Sequence, residues 1–288
     1  MVTKTLSESI FGASRIQLAL VAVLAISAAP AVMAEDLDVN QEISIAIGNE
    51  PPYTELKPDG TLSGAGGEID RAALAASGLK NIKGVIMPYG AMIPAVQAKR
   101  VKVLSSGSLN IRPERCTQVN FAEPEICTAQ AFLTRSDMVG KFDSYKKFAE
   151  LGLKLGAGAG TLQAKDAMTA GVLKENIVPY PDPVSAVKML QDKRIDAIAL
   201  NDAAVLDMKN KSGDQSLQIV LPIANTPIDC AAASFNKDDT ALRDAYNAGL
   251  KKIKENGEFE KIMNKYGLQS NYTLLASAKS AAEMCNPK

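Results

Sequence analysis

Residues 153–200 read LKLGAGAGTLQAKDAMTAGVLKENIVPYPDPVSAVKMLQDKRIDAIAL, and their pattern decides the fold. Residues 153–157 have the apolar pattern of a strand and run into a glycine turn, and residues 165–170 are predicted to be helical. The segments that follow are predicted as a strand, an amphipathic helix and a wholly apolar strand, at 176–180, 183–192 and 195–200. Alternating strands and helices are typical of a largely parallel sheet covered by helices.

The same alternation precedes this stretch. Residues 42–48 alternate polar and apolar side chains, as a strand does, and residues 68–77 have helical spacing that Gly78 ends. Further strands are predicted at 81–87 and 101–105, and helical segments at 91–98, 113–118, 239–256 and 259–266. Because the alternation restarts after a break near residues 135–137, two α/β lobes are the simplest interpretation.

The first 34 residues have the pattern of an export signal. Lys4 and Arg15 precede an apolar stretch at 16–29, and a small-residue site at 32–34 comes before two acidic residues. Such a stretch is short for a bilayer span and typical of a cleaved secretory peptide. We therefore predict a signal peptide at 1–34, a mature chain that begins at Glu35, and a periplasmic location.

Composition excludes several kinds of function. The chain has 32 basic and 32 acidic side chains, so it lacks the positive charge that nucleic-acid binding requires. It contains no histidine, which rules out Ser/His/Asp and Cys/His nucleophile systems and removes the commonest neutral zinc ligand. We therefore predict no catalytic residues, no metal site, no cofactor and no nucleic-acid partner.

Four cysteines lie at 116, 127, 230 and 285. In an exported protein an even number of cysteines predicts disulfides, and four of them allow three pairings. Proximity in sequence favours Cys116 with Cys127, which leaves Cys230 to pair with Cys285. Free buried thiols are the alternative.

Five short motifs occur in a particular order: Asn49-Glu50-Pro51-Pro52-Tyr53, Tyr89-Gly90-Ala91-Met92-Ile93-Pro94, Ile111-Arg112-Pro113-Glu114-Arg115-Cys116, Gly160-Thr161 and Lys193-Arg194-Ile195-Asp196-Ala197. With this order and spacing, the mature chain resembles the extracellular solute-binding proteins of polar amino-acid ABC transporters. Within that family it is most similar to the ectoine and hydroxyectoine-binding branch, through residues 49–53, the triplet at 114–116 and Cys127.

The resemblance implies a type II periplasmic-binding fold, in which two sheet-and-helix lobes are joined by a two-strand hinge. It implies that residues 35–131 plus 233–288 form one lobe and residues 132–232 the other, with crossings near 128–134 and 231–236. It also implies a monomer that binds its ligand in the cleft between the lobes and delivers it to a membrane permease.

The first lobe supplies most of the predicted ligand-binding residues. The resemblance assigns the ligand carboxylate to Arg115, whose planar guanidinium matches it with two hydrogen bonds. Gly107 and Ser108 can present backbone N–H groups to the same carboxylate. For a cationic group, a carboxylate and two aromatic faces are predicted, from Glu50, Tyr53 and Tyr89. The alternative roles are a solvated Arg or Glu, a strand-ending turn and packed tyrosines.

In the second lobe, Gly160 and Thr161 precede a helix whose free N–H groups can hold an anion, although Thr161 can also be a simple N-cap. Asn201 occupies the position where amino-acid binders commonly carry an Asp for the ligand ammonium, and Asp202 follows it. Two positions depart from the family: Asn110, which is also predicted to bind the ligand, replaces an aromatic residue, and Arg112 replaces a threonine. Arg112 therefore either binds a second ligand carboxylate or points to solvent.

These features predict a binding protein that captures a small zwitterion, either ectoine, hydroxyectoine or an amino acid. Two other functions stay open. Some exported dehydratases share this fold, and a Glu in a closed cleft can act as a general acid. A sensory or accessory binding protein would carry the same site.

Overall fold

The computed structural model describes residues 37–287, so the predicted signal peptide at 1–34 lies outside the described residues. The strands, in chain order, are β1 (Ile43–Ile47), β2 (Glu55–Leu56), β3 (Leu62–Ser63), β4 (Ile82–Ile86), β5 (Val103–Leu104), β6 (Asn120–Phe121), β7 (Ile126–Thr128), β8 (Gln130–Arg135), β9 (Leu155–Gly156), β10 (Ile177–Val178), β11 (Ala197–Asn201), β12 (Leu217–Val220), β13 (Asp229–Ala231) and β14 (Ser234–Phe235).

The α-helices are α1 (Gly64–Ala76), α2 (Tyr89–Gln97), α3 (Pro113–Cys116), α4 (Tyr145–Glu150), α5 (Leu162–Thr169), α6 (Pro183–Gln191), α7 (Asp202–Ser212), α8 (Thr240–Glu255), α9 (Glu258–Lys265), α10 (Gln269–Ala276) and α11 (Ala281–Cys285). Short 3-10 turns lie at Ser136–Met138 and Lys174–Asn176. Among residues 37–287, no helix has both the length and the apolar character that a membrane crossing requires.

Two five-stranded sheets organise the chain. The first has the order β4-β1-β5-β14-β6, with β1 parallel to β4 and β5 and with β14 antiparallel to its neighbours. The second has the order β10-β9-β11-β8-β12, with β9 parallel to β10 and β11 and with β8 antiparallel to its neighbours. We call the parts of the chain built around these sheets the first lobe and the second lobe. The predicted α/β alternation is confirmed in both.

One buried core extends from the first sheet to one face of the second, and the opposite face of the second sheet packs a separate core around Phe132. In the first lobe, α1 and α8 cross so closely that a Cβ on Gly249 would lie 1.8 Å from the carbonyl oxygen of Ala73. In the second lobe, the ring of Phe132 lies 5.3 to 5.6 Å, centroid to centroid, from those of Phe142, Tyr145 and Phe148. Aromatic pairs at this spacing stabilise a core beyond their buried area.

The chain passes between the lobes twice, and the two passages pair as an antiparallel ribbon of β7 and β13. In this ribbon Cys127 lies directly opposite Cys230. The ribbon runs from 126 to 128 and from 229 to 231, while the segment 130–135 that follows is strand β8 of the second sheet. The lobe boundaries implied by the resemblance, 35–131 plus 233–288 and 132–232, stay a prediction.

All four cysteines form disulfides, but the pairing favoured by sequence proximity was wrong. Cys127 bonds to Cys230, with 4.0 Å between the Cα atoms, because strand pairing places them opposite one another. Cys116, at the end of α3, bonds to Cys285 at the end of α11, with Cα atoms 5.6 Å apart. The first bond therefore joins the two hinge strands, and the second ties the C-terminal helix to α3.

Candidate ligand-binding site

Side chains from both lobes meet where parallel strands end. In the first lobe, Glu50 follows β1, Tyr89 follows β4 and begins α2, and the loop that contains Ser108 follows β5. In the second lobe, Thr161 follows β9, and Asn201 is the last residue of β11. The carboxyl ends of parallel strands are the usual place for a ligand in open α/β sheets.

These strand ends enclose a narrow cavity of about 20 Å³. Its lining combines both lobes: Glu50, Tyr89, Gly107, Ser108, Asn110, Arg115, Thr161, Leu162, Gln163 and Asn201. Small-molecule sites span roughly 300 to 1,000 Å³, so the two walls of this cleft lie nearly in contact and must move apart to admit a ligand. The lining is mostly polar and includes one cation and one carboxylate.

Arg115 supplies the positive charge of the cavity. It lies on α3, and its Nη1 donates a hydrogen bond of 3.1 Å to the carbonyl oxygen of Asn110. Burial lowers the pKa of Arg115, while the charge of Glu114 opposes that shift and the charge of Arg112 adds to it. A guanidinium keeps its charge even so, and a partly desolvated one interacts strongly with a carboxylate.

Hydrogen bonds to a buried carboxylate of α1 hold the loop after β5 in place. Asp70 of α1 accepts hydrogen bonds from the Ser105 hydroxyl and from the backbone N–H of Ser106. Ser108, further along the loop, has a buried hydroxyl oxygen with no hydrogen-bond partner within residues 37–287. A buried hydroxyl at the cavity wall is available to a ligand oxygen.

Glu50 and Tyr89 form the acidic wall. The Tyr89 hydroxyl donates a hydrogen bond of 2.9 Å to Oε2 of Glu50, whose side chain is buried. Burial raises the pKa of Glu50 to about 7, although the bond from Tyr89 acts in the opposite direction. Because burial disfavours the charged carboxylate, a cation placed beside Glu50 would be stabilised and would lower this pKa again.

The second-lobe wall contains two residues that the sequence did not indicate, Leu162 and Gln163. Gln163 donates a hydrogen bond of 3.0 Å from Nε2 to Oδ1 of Asn201. Thr161 caps α5, since its hydroxyl oxygen accepts from the N–H of Ala164 at 3.3 Å. Leu162 and Gln163 belong to the first turn of α5, and neither carries a charge or motif that would have marked it.

Three predicted site residues lie outside the cavity lining: Tyr53, Gly160 and Asp202. The Tyr53 hydroxyl donates a bond of 3.0 Å to Oδ1 of Asp202, which joins the first lobe to the second beside the cavity. Gly160, with a positive φ of 78°, lies so close to Gly90 that an added Cβ would be 2.6 Å from the Gly90 Cα. Glycine at 160 thus permits close approach of the lobes.

Arg112 does not line the cavity. It forms an ion pair with Asp229 of β13, and its Nη2 lies 4.0 Å from Oδ2 of Asp166 on α5. Asp229 is buried, which raises its pKa to about 6 against the opposing charge of Arg112. Of the two roles considered for Arg112, neither fits: its partners are protein carboxylates on the hinge and the second lobe.

Comparison with known proteins identifies the family. The model for bacterial extracellular solute-binding proteins, family 3, matches residues 43–269. The probable amino-acid ABC transporter periplasmic-binding protein y4tE of Sinorhizobium fredii is 30% identical over 266 residues, covering 90% of this chain and 87% of that protein. The arginine-binding periplasmic protein of Mannheimia haemolytica is 26% identical over 230 residues, covering 78% and 91%.

Among solved structures, EhuB in complex with hydroxyectoine matches with a TM-score of 0.82 and 36% identity, covering 89% of this chain and 98% of that one. These relatives confirm the predicted type II architecture and the resemblance to the ectoine and hydroxyectoine-binding branch. The Sinorhizobium and Mannheimia relatives are named as periplasmic binding proteins and EhuB is solved with a bound ligand, so a substrate-binding role follows for this chain. The chain belongs to the bacterial extracellular solute-binding proteins, family 3.

Proposed function

We propose that the cleft binds one small zwitterion, hydroxyectoine in the first instance, and that the chain delivers it to the permease of an ABC transporter. The observation that carries this proposal is the pair of opposite charges on one small cavity, with Arg115 on one wall and Glu50 on another. A molecule with a carboxylate and a cationic group neutralises both at once. The hydroxyectoine complex of EhuB, 36% identical, supports this ligand class.

Each charged group of the ligand has a defined position in this proposal. The carboxylate lies against the Arg115 guanidinium, with the buried Ser108 hydroxyl as an additional donor. The first turn of α5, where the positive end of the helix dipole lies, faces the same cavity through Thr161 and Gln163. The cationic group lies beside Glu50 and the ring of Tyr89.

The same proposal includes an exported, periplasmic monomer without catalytic activity. One observation favours the alternative of an enzyme, since the pKa of about 7 for Glu50 suits a general acid at neutral pH. The two functions differ in what happens to the bound compound. A binding protein releases its ligand chemically unchanged, whereas a dehydratase or related enzyme would convert it.

We expect calorimetry on the mature protein to show one-to-one binding of hydroxyectoine with micromolar or tighter affinity, about −8 kcal/mol or better. Ectoine, proline, glycine betaine, arginine and glutamate form the comparison panel. The bound compound, recovered after overnight incubation and analysed by mass spectrometry, should be unaltered. A panel without any binder would contradict the proposal, and conversion of a compound would favour the enzyme.

The affinity for hydroxyectoine is expected to fall as the pH drops below about 7, because protonated Glu50 no longer attracts the cationic group. The groups that face Glu50 are tyrosines whose pKa values lie above that of free tyrosine, so Tyr53, Tyr89 and Tyr180 stay neutral over this range. In the limit, the dissociation constant rises about tenfold for each pH unit below 7. Titration calorimetry between about pH 5.5 and 8.5 measures this slope.

Glu50→Gln is the matched control, since it keeps the size of the side chain and an acceptor for the Tyr89 hydroxyl. This variant should bind hydroxyectoine weakly and with little dependence on pH. A wild-type affinity that stays constant over the same interval would show that Glu50 does not face the cation.

A further inference from the structure

We infer that α3 and α5 form an interlobe charge clamp, made of Arg112 and Glu114 on the first lobe and Lys165 and Asp166 on the second, which sets how readily the cleft closes. The inference rests on the proposed function, because it assumes that the two lobes separate and approach as the ligand exchanges.

The clamp consists of two ion pairs of opposite polarity. Glu114 of α3 pairs with Lys165 of α5, and Arg112, directly before α3, faces Asp166, the next residue of α5. Each lobe therefore contributes one positive and one negative side chain, and each of them faces the opposite charge on the other lobe. Such an arrangement is attractive in one register and repulsive if either helix shifts, so it defines one closed position.

The second lobe holds its part of the clamp in place. Gln130 is fully buried, and its Nε2 donates to Asp166 at 2.8 Å and to Asp229 at 3.1 Å, while its Oε1 accepts from the Tyr145 hydroxyl at 2.7 Å. Both amide hydrogens of Gln130 thus fix the two carboxylates that face Arg112. Asp166 is therefore oriented by contacts within its own lobe, and this orientation does not depend on closure of the cleft.

The clamp acts on the two elements that contribute to the ligand site. Arg115 lies on α3, between the clamp and the disulfide at Cys116, and Thr161 caps the start of α5. Pulling α3 toward α5 therefore brings the Arg115 guanidinium and the first turn of α5 onto the same cavity. Since a ligand that needs the closed form binds in proportion to the closed population, the clamp should set apparent affinity without touching the ligand.

The test is a charge-reversal cycle on the exposed pair, with about half of each side chain accessible (55% for Lys165 and 47% for Glu114). Glu114→Lys and Lys165→Glu each place like charges opposite one another, and each should weaken hydroxyectoine binding about three- to fivefold at low salt. The double variant restores an attractive pair and should bind within about twofold of the native protein. About 0.5 M KCl should reduce these differences.

Lys188→Glu makes the same charge change on the second lobe, on the exposed face of α6 where Lys188 pairs with Asp192, and should leave binding unchanged. Asp166→Asn tests the other half of the clamp, because the amide keeps an oxygen for Gln130 but loses the charge that faces Arg112. This variant should also weaken binding several-fold while the melting temperature stays close to that of the native protein.

Small-angle X-ray scattering on the ligand-free variants separates the clamp from the proposed ligand. The single reversals should have a larger radius of gyration than the native protein, and the double variant should return to the native value. If hydroxyectoine does not bind the native protein, the proposed function fails while the scattering still tests the clamp. The inference would be overturned if the losses of binding affinity in the two single variants added up in the double variant. Unchanged scattering in all variants would overturn it as well.

Discussion

Arg115→Ala is expected to weaken hydroxyectoine binding at least about thirtyfold, the largest effect on affinity of any substitution in the cleft. The partly buried guanidinium is the one cation that residues 37–287 place in the lining of the cavity, where few other groups can compensate a ligand carboxylate. Removing one partner of a buried charge pair costs roughly 2 to 5 kcal/mol, which is a loss of about thirtyfold or more in affinity. Titration calorimetry with hydroxyectoine measures the loss directly.

Two further variants separate this effect from damage to the fold. Arg115 also holds the carbonyl oxygen of Asn110, so the melting temperature of the alanine variant must be compared with that of the native protein. Arg115→Lys keeps the charge but not the planar fork and should bind with intermediate affinity. Arg100→Ala removes an exposed guanidinium elsewhere and should change nothing. Binding by Arg115→Ala within threefold of native would remove Arg115 from the site.

The largest effect on stability is expected at a buried carboxyl pair below the cleft. The Tyr246 hydroxyl lies 2.8 Å from both Oδ1 of Asp70 and Oε2 of Glu125, yet it has one hydrogen to donate. Asp70 also accepts from Ser105 and Ser106, so it is the ionised partner and Glu125 must carry a proton. Burial, and then the charge of Asp70, raise the pKa of Glu125 to about 8.

The sign of the pH dependence follows from this shift. Between the ordinary pKa of 4.5 and about 8, folded Glu125 holds a proton that the unfolded chain has lost, so stability falls as the pH rises. The slope is on the order of 1 kcal/mol per pH unit. Lys254 faces the pair from α8 and opposes the shift, and the raised pKa values of Glu50, Asp70 and Asp229 act in the same direction as Glu125.

Urea unfolding between about pH 5 and 8, at constant ionic strength and with the disulfides intact, measures this slope. Glu125→Gln imitates the protonated carboxyl and should make the slope shallower, with the largest gain over the native protein near pH 8. Glu260→Gln neutralises an exposed carboxylate of α9 and should leave the slope as it is. Stability that increases from pH 5 to 8 would contradict a proton held by folded Glu125.

The sequence predicted six of the fourteen strands within residues 37–287 and helices such as α1, α2, α6 and α8, because their hydrophobic periodicity is set locally. It placed the start of α1 at residue 68, whereas the helix begins at Gly64. Glycines at 64, 66 and 67 disfavour a helix by propensity, but packing requires them: a Cβ on Gly66 would lie 2.5 Å from the backbone nitrogen of Gly107. The glycine run therefore brings α1 against the loop after β5.

The site was predictable where a charge or a motif marked it. Eight of the predicted residues line the cavity: Glu50, Tyr89, Gly107, Ser108, Asn110, Arg115, Thr161 and Asn201. Leu162 and Gln163 could not be found, because their role depends on how α5 is oriented. The bond between Tyr53 and Asp202, and the partners of Arg112, join residues distant in the chain and follow from how the lobes meet.

The bond between Cys127 and Cys230 has a consequence for the path by which the lobes move. It couples the two strands of the ribbon at their midpoint, so one strand cannot lengthen or slide while the other stays fixed. The bond therefore opposes sliding of one strand past the other and independent twisting of the lobes. The motion that remains is a bend in which both strands of the ribbon move together. We therefore expect opposing walls of the cleft to return to the same register whenever the lobes separate and close.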